Sequence, residues 1–245
     1  MLEPFFLAGD GPDLLLTYHP PGGDVSDEIT LICAPFFGEY HRTHLALREL
    51  AISLSAAGQH VIRFDYRGCG DAFGQVHSLG DWQADLHRAI AEARAISGCH
   101  VINVVAVRAA TLLLPVHLDE VSRVVLWDPV WQGQPYLTGY LDLRDRSVFR
   151  NRWLTRAARA SIKDELFGFP LPAALSRDIH AADVREAFAC SNLPVTSVVT
   201  RSDGGAPPGV TKRRVTFACN WLTRSDDVLL PRPVLEELHE CVLNR

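Results

Sequence analysis

A chain of 245 residues that is 47% hydrophobic and 22% charged has the composition of a globular protein with a full apolar core, which excludes a disordered chain, collagen and a coiled coil. The formal net charge of −5 offers no basic stripe for phosphates, so no nucleic-acid partner is expected. No window reaches the roughly 18 apolar residues of a spanning helix, because even Val101 to Leu114 contains Asn103 and Arg108; no membrane partner is expected either.

Met1 to Phe6 has no basic n-region, and Gly9, Asp10, Gly11, Pro12 and Asp13 interrupt the apolar run at once, so the N-terminus does not read as a signal peptide. The expected location is the cytoplasm. Cys33, Cys69, Cys99, Cys190, Cys219 and Cys241 are scattered without a C-x-x-C pair, which points to reduced thiols and no structural zinc site.

Pro4 to Ala8 and Leu14 to Tyr18 read as a hairpin, and Ile29 to Ala34 as an apolar strand ending at Pro35. A helix is expected from about Thr43, with Leu47, Leu50 and Leu54 on one face and Gly58 as its C-cap. His60 to Tyr66 is the next strand, Arg67 to Asp71 a tight turn, and Asp81 to Ile96 a helix with Trp82, Leu86, Ile90 and Ala93 on its inner face, stopped by Gly98. Val101 to Val107 reads as a central strand buried on both faces. Ala109 to Leu118 is helical and Val121 to Trp127 a strand. From Gly133 to Cys190 the strand signal disappears and the chain becomes Arg-rich (Arg144, Arg146, Arg150, Arg152, Arg156, Arg159), broken at Gly168 to Pro172. Strands resume at Pro194 to Arg201 and Arg213 to Cys219, and a final helix runs from about Pro231 to Leu243. This alternation predicts an α/β fold: a mostly parallel central sheet flanked by helices.

Ala34-Pro35-Phe36-Phe37-Gly38-Glu39-Tyr40, the run from His60 to Gly74, Asp81-Trp82, Leu126 to Val130 and Gly168 to Pro172 resemble the α/β-hydrolases, and among them the serine-aminopeptidase-like branch that includes exosortase A system-associated hydrolase 2. The resemblance implies a hydrolase core at residues 1–132 and 191–245, a helical cap inserted at 133–190, a bacterial biosynthetic pathway, and a triad in the order nucleophile, acid, histidine. The G-x-S-x-G elbow of that fold falls on Ala106-Val107-Arg108-Ala109-Ala110, which puts Arg108 at the nucleophile position. A guanidinium stays protonated and cannot form an acyl intermediate. The acid position matches Asp203, with Asp128 a second carboxylate at the same sheet edge. The stretch after the last strand, Phe217 to Asp227, contains no histidine, and His239 lies inside the final helix.

Arg108 is then either ion-paired with a neighbouring carboxylate, Asp128 and Asp203 among the choices, or turned toward an anionic ligand. Glu39 and His41 are candidate general bases, with Glu39 pairing to Arg42 or Arg108 as the inert alternative. Phe36, Phe37, Tyr40, Ala109 and Trp131 join Arg108 as substrate-contact candidates. Tyr136, Tyr140, Phe149 and Trp153 are read as apolar cap residues, and the cap arginines as a basic roof or as a solvated face paired with Asp142, Asp145, Asp164 and Glu165. Cys69 and Ser202 are candidates for a relocated nucleophile. His41 and His44 lack a third ligand, so no metal and no cofactor are expected. Three readings follow: acid/base chemistry without a covalent intermediate on a small anionic acyl or peptide-derived metabolite, free or carrier-bound; a pseudo-hydrolase acting as a binding or scaffold protein; and an ordinary hydrolase with a displaced nucleophile. A homodimer is left open.

Overall fold

Glu3–Leu7 (β1) and Leu14–His19 (β2) pair antiparallel, as the hairpin reading expects. Glu28–Cys33 (β3), His60–Phe64 (β4), Val101–Val107 (β5), Arg123–Trp127 (β6), Val195–Val199 (β9) and Thr211–Arg214 (β10) complete an eight-stranded sheet in the order β1-β2-β4-β3-β5-β6-β9-β10. It is parallel from β4 to β10; β2 runs antiparallel to β4, and β1, antiparallel to β2, again points with the parallel strands. The computed structural model describes residues 2–150, 155, 164–201, 205–223 and 227–244, without the side chains of 149 and 150.

The burial of β5 on both faces explains why it reads as apolar at every position but Asn103, whose amide donates to Glu28. Ile102, Val104 and Ala106 enter the core on one face, and Val105 and Val107 enter it on the other. The first face is covered by Leu79–Ser97 (α2), by the 3-10 helix Arg108–His117 and by Gly133–Arg150 (α3) and Ala173–Ala181 (α4); Arg185–Cys190 (α5) adds Phe188 to the same core. The second is covered by Gly38–Ala56 (α1) and Arg232–Leu243 (α6).

Four details depart from the sequence expectation. Helix α1 begins at Gly38, ahead of the expected Thr43, and ends at Ala57 as its cap. Gly58 follows with φ +91, and the position requires glycine, both for that φ and because a Cβ there would collide with the Asp24 carbonyl. Residues 133–190 do hold strand pairing: Glu165–Leu166 (β7) and Phe169–Pro170 (β8) form a short antiparallel hairpin. The last strand is Thr211–Arg214, earlier than expected, and it forms an edge with every residue exposed.

Of the arginines between β6 and β9, Arg144 donates to Asp145 at 2.9 Å and to the Glu165 carbonyl, and Arg146 to the Asp142 carbonyl, so both are engaged within their own segment. Arg152, Arg156, Arg159 and Trp153 lie outside the described residues, as do the side chains of Phe149 and Arg150.

Candidate functional site

β5 ends at Val107, and the chain turns sharply into the 3-10 helix at Arg108, whose φ is +54. Left-handed backbone at a non-glycine residue costs on the order of 1–3 kcal/mol and persists only where surroundings impose it. Here they do. The Arg108 carbonyl accepts from Val130 N (3.3 Å) and Thr111 Oγ1 (2.8 Å). Its Nε donates to Glu39 Oε1 at 3.0 Å and its Nη1 to the Asp128 carbonyl at 3.0 Å. The guanidinium lies 5.0 Å from the Trp221 ring centroid and 5.7 Å from that of Tyr136. Nη2 makes no hydrogen bond among the described residues, and the side chain is 12% exposed. Burial pulls the Arg108 pKa down, but the paired Glu39 carboxylate outweighs it and leaves the group raised and permanently charged.

Glu39 stands in the first turn of α1 with its side chain 1% exposed. Its Oε1 also accepts from Tyr140 Oη of α3 at 2.7 Å, and that hydroxyl lies 3.0 Å from the Trp221 carbonyl, so one phenolic proton serves two acceptors. Glu39 Oε2 and Tyr136 Oη are both buried without a hydrogen-bond partner among the described residues. Burial first, and then Glu39, push the Tyr136 and Tyr140 phenols upward, which keeps both as proton-bearing donors.

Asp128, φ +42, follows β6. Its Oδ1 accepts from Thr200 N at 2.7 Å, and its Oδ2 accepts from Thr200 Oγ1 at 2.5 Å and Trp221 Nε1 at 2.8 Å. Three donors satisfy this carboxylate, so it meets Arg108 through its carbonyl and not as an ion pair. Glu39 supplies the carboxylate partner instead, one of the two pairings foreseen for it. Asp203 and Ser202 lie outside the described residues.

Arg108, Asp128, Trp131, Gln132, Tyr136 and Arg201 line a cleft of about 240 Å³ beyond the carboxyl ends of β5, β6 and β9. Arg201 is exposed and has no ion pair or hydrogen bond among the described residues. Trp131 packs edge-on against Phe188 in the cleft wall.

The other candidates are placed elsewhere. Phe36 is fully buried with its ring centroid 4.3 Å from that of Trp82, and Phe37 is buried between Trp82 and Phe169. Ala109 is inaccessible. Tyr40 turns toward β4 and donates to Asp65 Oδ1 at 2.6 Å. His41 is exposed, its ring against Tyr40 and Phe169, and no hydrogen bond or ion pair joins it to Glu39, Arg108 or Asp128. Burial, then Asp65, push the Cys69 thiol up to about 12, which leaves it a protonated core residue. All ten histidines are described, and none is hydrogen-bonded to Arg108, Glu39 or Asp128.

The polar roles of Tyr136, Tyr140, Thr200 and Trp221 escaped sequence reading, which took the two tyrosines for apolar cap residues. The signal that was present is the four-residue spacing of Tyr136 and Tyr140, which places both phenols on one face of α3.

No protein-family model matches the chain, and no curated protein matches it. Solved structures do. A protein from Agrobacterium vitis S4 named as a hydrolase is 15% identical with a TM-score of 0.61, over 99% of this chain and 98% of that one. Alpha/beta hydrolase domain-containing protein 10 from mouse is 14% identical, TM-score 0.57, over 98% and 96%. An α/β serine hydrolase without lid from Xanthomonas campestris is 15% identical, TM-score 0.53, over 87% and 83%. At these identities the likeness is one of fold, and together with the parallel sheet and the strained turn after β5 it makes this chain an α/β-hydrolase-fold protein.

Proposed function

We propose that this chain binds a small anionic molecule, a carboxylate or phosphate monoester, in the cleft at Arg108 and does not hydrolyse esters through a covalent intermediate. The observation that carries the reading is the state of Arg108. It occupies the elbow where this fold holds its nucleophile, its Nε and Nη1 are committed to Glu39 and to the Asp128 carbonyl, and its Nη2 makes no hydrogen bond among the described residues beside a cleft that Arg108 and Arg201 both line. Among the described residues the one carboxylate lining that cleft is Asp128, and it is already satisfied by Thr200 and Trp221. Two cations, Arg108 and Arg201, therefore line the site for an incoming anion, and a planar guanidinium suits a carboxylate or phosphate.

Acid/base chemistry on the bound anion is the second reading. It is favoured by Glu39 Oε2 and Tyr136 Oη, two buried polar atoms beside the cleft, the phenol lying against the Glu39 carboxylate. In that reading the Tyr136 phenol donates the proton, while Glu39 Oε1 is held by Arg108 and Tyr140. A displaced nucleophile finds no support in Cys69. Work in a bacterial biosynthetic pathway rests on the resemblance of Ala34 to Tyr40 and Leu126 to Val130 to exosortase A system-associated hydrolase 2. A cytoplasmic location and a cap formed by residues 133–190 belong to the same proposal; no described helix is long and apolar enough to cross a membrane.

The test has two arms. A fluorophosphonate probe should leave the protein unlabelled, and stoichiometric labelling would overturn the proposal. Calorimetric titration with a panel of short carboxylates and phosphate monoesters should find one-to-one binding that Arg201→Ala weakens by about tenfold, the scale of one charge-assisted contact. Binding indifferent to Arg201→Ala, or no binding across the panel, also rejects it.

A further inference from the structure

Away from the cleft, at the opposite end of β6, three side chains from separate segments converge. His87 projects from α2, His117 closes the 3-10 helix, and Glu120 sits in the turn that leads to β6. Glu120 Oε1 is 2.7 Å from His117 Nδ1, and Glu120 Oε2 is 3.2 Å from His87 Nδ1. One ligand atom from each residue lies within 4.8 Å of the other two. In a tetrahedral zinc site with bonds of about 2.0–2.1 Å, ligand atoms stand about 3.3 Å apart, so small side-chain adjustments would bring the three onto one ion.

The orientation of His117 is fixed from behind. Its Nε2 is 3.0 Å from the Gln83 carbonyl, which can only accept, so Nε2 carries the ring N–H. Nδ1 faces Glu120 Oε1 and the same space as His87 Nδ1, and a cation bound there would take the place of the proton that Nδ1 shares with the carboxylate. A backbone carbonyl holding the distal nitrogen is the arrangement that sets the tautomer of a metal-ligating histidine. Glu120 is held as well: Arg94 Nη2 donates to its carbonyl at 2.5 Å, and Arg94 Nη1 lies 3.8 Å from Oε2. The His87 and His117 rings are nearly parallel, 20° apart, with centroids separated by 6.0 Å. The His117 side chain is 6% exposed and that of His87 62%, which gives an anchored ligand and a solvent-side one, with a fourth position open to water.

We propose that His87, His117 and Glu120 form a surface site for a zinc-class divalent cation, clipping α2 to the turn entering β6. Two imidazoles and one carboxylate select zinc, copper or nickel over magnesium and calcium, which require more oxygen ligands. The site lies apart from the Arg108 cleft and does not depend on its function. The nearby Arg94 charge opposes a dication, so the expected affinity is micromolar and not that of a closed four-ligand site.

The test uses the full chain stripped of metal with EDTA and dialysed at neutral pH. Calorimetric titration with zinc chloride should show one equivalent bound at low micromolar affinity, with a rise in melting temperature, while magnesium chloride gives neither. Cobalt chloride should produce visible bands of four-coordinate geometry. His87→Ala, on an exposed helix position, should remove the bound equivalent without altering the metal-free melting temperature, and Glu120→Gln should remove it as well. Cys190→Ser, at an exposed thiol remote in sequence from the cluster, should leave binding intact. Absence of stoichiometric zinc binding overturns the proposal, as does binding that survives His87→Ala.

Discussion

Arg108 is stabilised by what surrounds it, and that makes its replacement informative. Its partner Glu39 is almost inaccessible and Arg108 itself nearly so, and removing one member of a buried pair leaves the other uncompensated at a cost of about 3–5 kcal/mol. Arg108→Met and Glu39→Gln should each lose stability on that scale, while the double variant should lose clearly less than the sum of the two. Urea unfolding of the four proteins checks this, and additive losses would mean the pair is not coupled. The resemblance of Ala106 to Ala110 to the elbow pointed to Arg108, and the sharp turn after β5 falls at that residue. Its carboxylate partner was only one option among several. The choice of Glu39 over Asp128 depends on Trp221 and Thr200 reaching Asp128 first, and contacts between residues 72 and 93 positions apart leave no local trace in a sequence.

At the scale of elements, β2 and β4 carry a cross-strand pair that sets a pH dependence. His19 on β2 is 2% exposed, and its Nε2 accepts from Arg63 Nε on β4 at 3.2 Å. Burial, then the Arg63 and Arg48 charges, lower its pKa from 6.5 to about 4. Between these values the unfolded chain holds a proton that the folded chain refuses. His19 therefore contributes no penalty above the unfolded value and destabilises progressively as pH falls toward about 4, by about 3 kcal/mol at most. Unfolding free energies measured from neutral to acid pH should fall less steeply in His19→Gln, which keeps an acceptor for Arg63 and cannot take up the proton. An unchanged slope would show that other groups govern the acid limb.

The same polar burial explains where element boundaries were misread. Helix α1 starts at Gly38 because its first turns bury Glu39, Arg42 and Thr43. Arg42 Nη1 donates to the Asn220 carbonyl at 2.7 Å, and Glu39 meets Arg108. Charged residues on the inward face erase the apolar periodicity by which a helix is recognised, so only the Leu47, Leu50 and Leu54 portion was legible. Strand β10 errs in the other direction. The stretch Arg213 to Cys219 suggested a strand, but the pairing with β9 runs over the exposed Thr211–Arg214, two residues earlier at its start and ending at Arg214.

Across the whole molecule two kinds of cohesion operate. The sheet is held by apolar layers on both faces, and these were readable from periodicity alone. The segments around the cleft are joined by one polar seam: Glu39 of α1, Arg108 after β5, Tyr140 of α3 and the Trp221 carbonyl beyond β10. Tyr140 is the member that connects α3 to the others, since its single proton bridges Glu39 and Trp221 while its ring is 2% exposed beside Tyr136. Tyr140→Phe keeps the ring and removes that bridge, leaving Glu39 Oε1 with Arg108 alone and the Trp221 carbonyl without the hydroxyl. A buried acceptor that loses a donor costs about 1–3 kcal/mol. If the seam is what fastens α3 to the core, the loss is local. Amide exchange should accelerate across Gly133 to Val148 far more than across α2, which is held independently by Arg67 and the fully buried Asp85. The anion affinity of the cleft should weaken with it, because Tyr136 on the same helix forms one wall. Exchange that rises equally in α2 and α3 would show instead that Tyr140 contributes to global stability and that the cleft wall does not depend on its bridge.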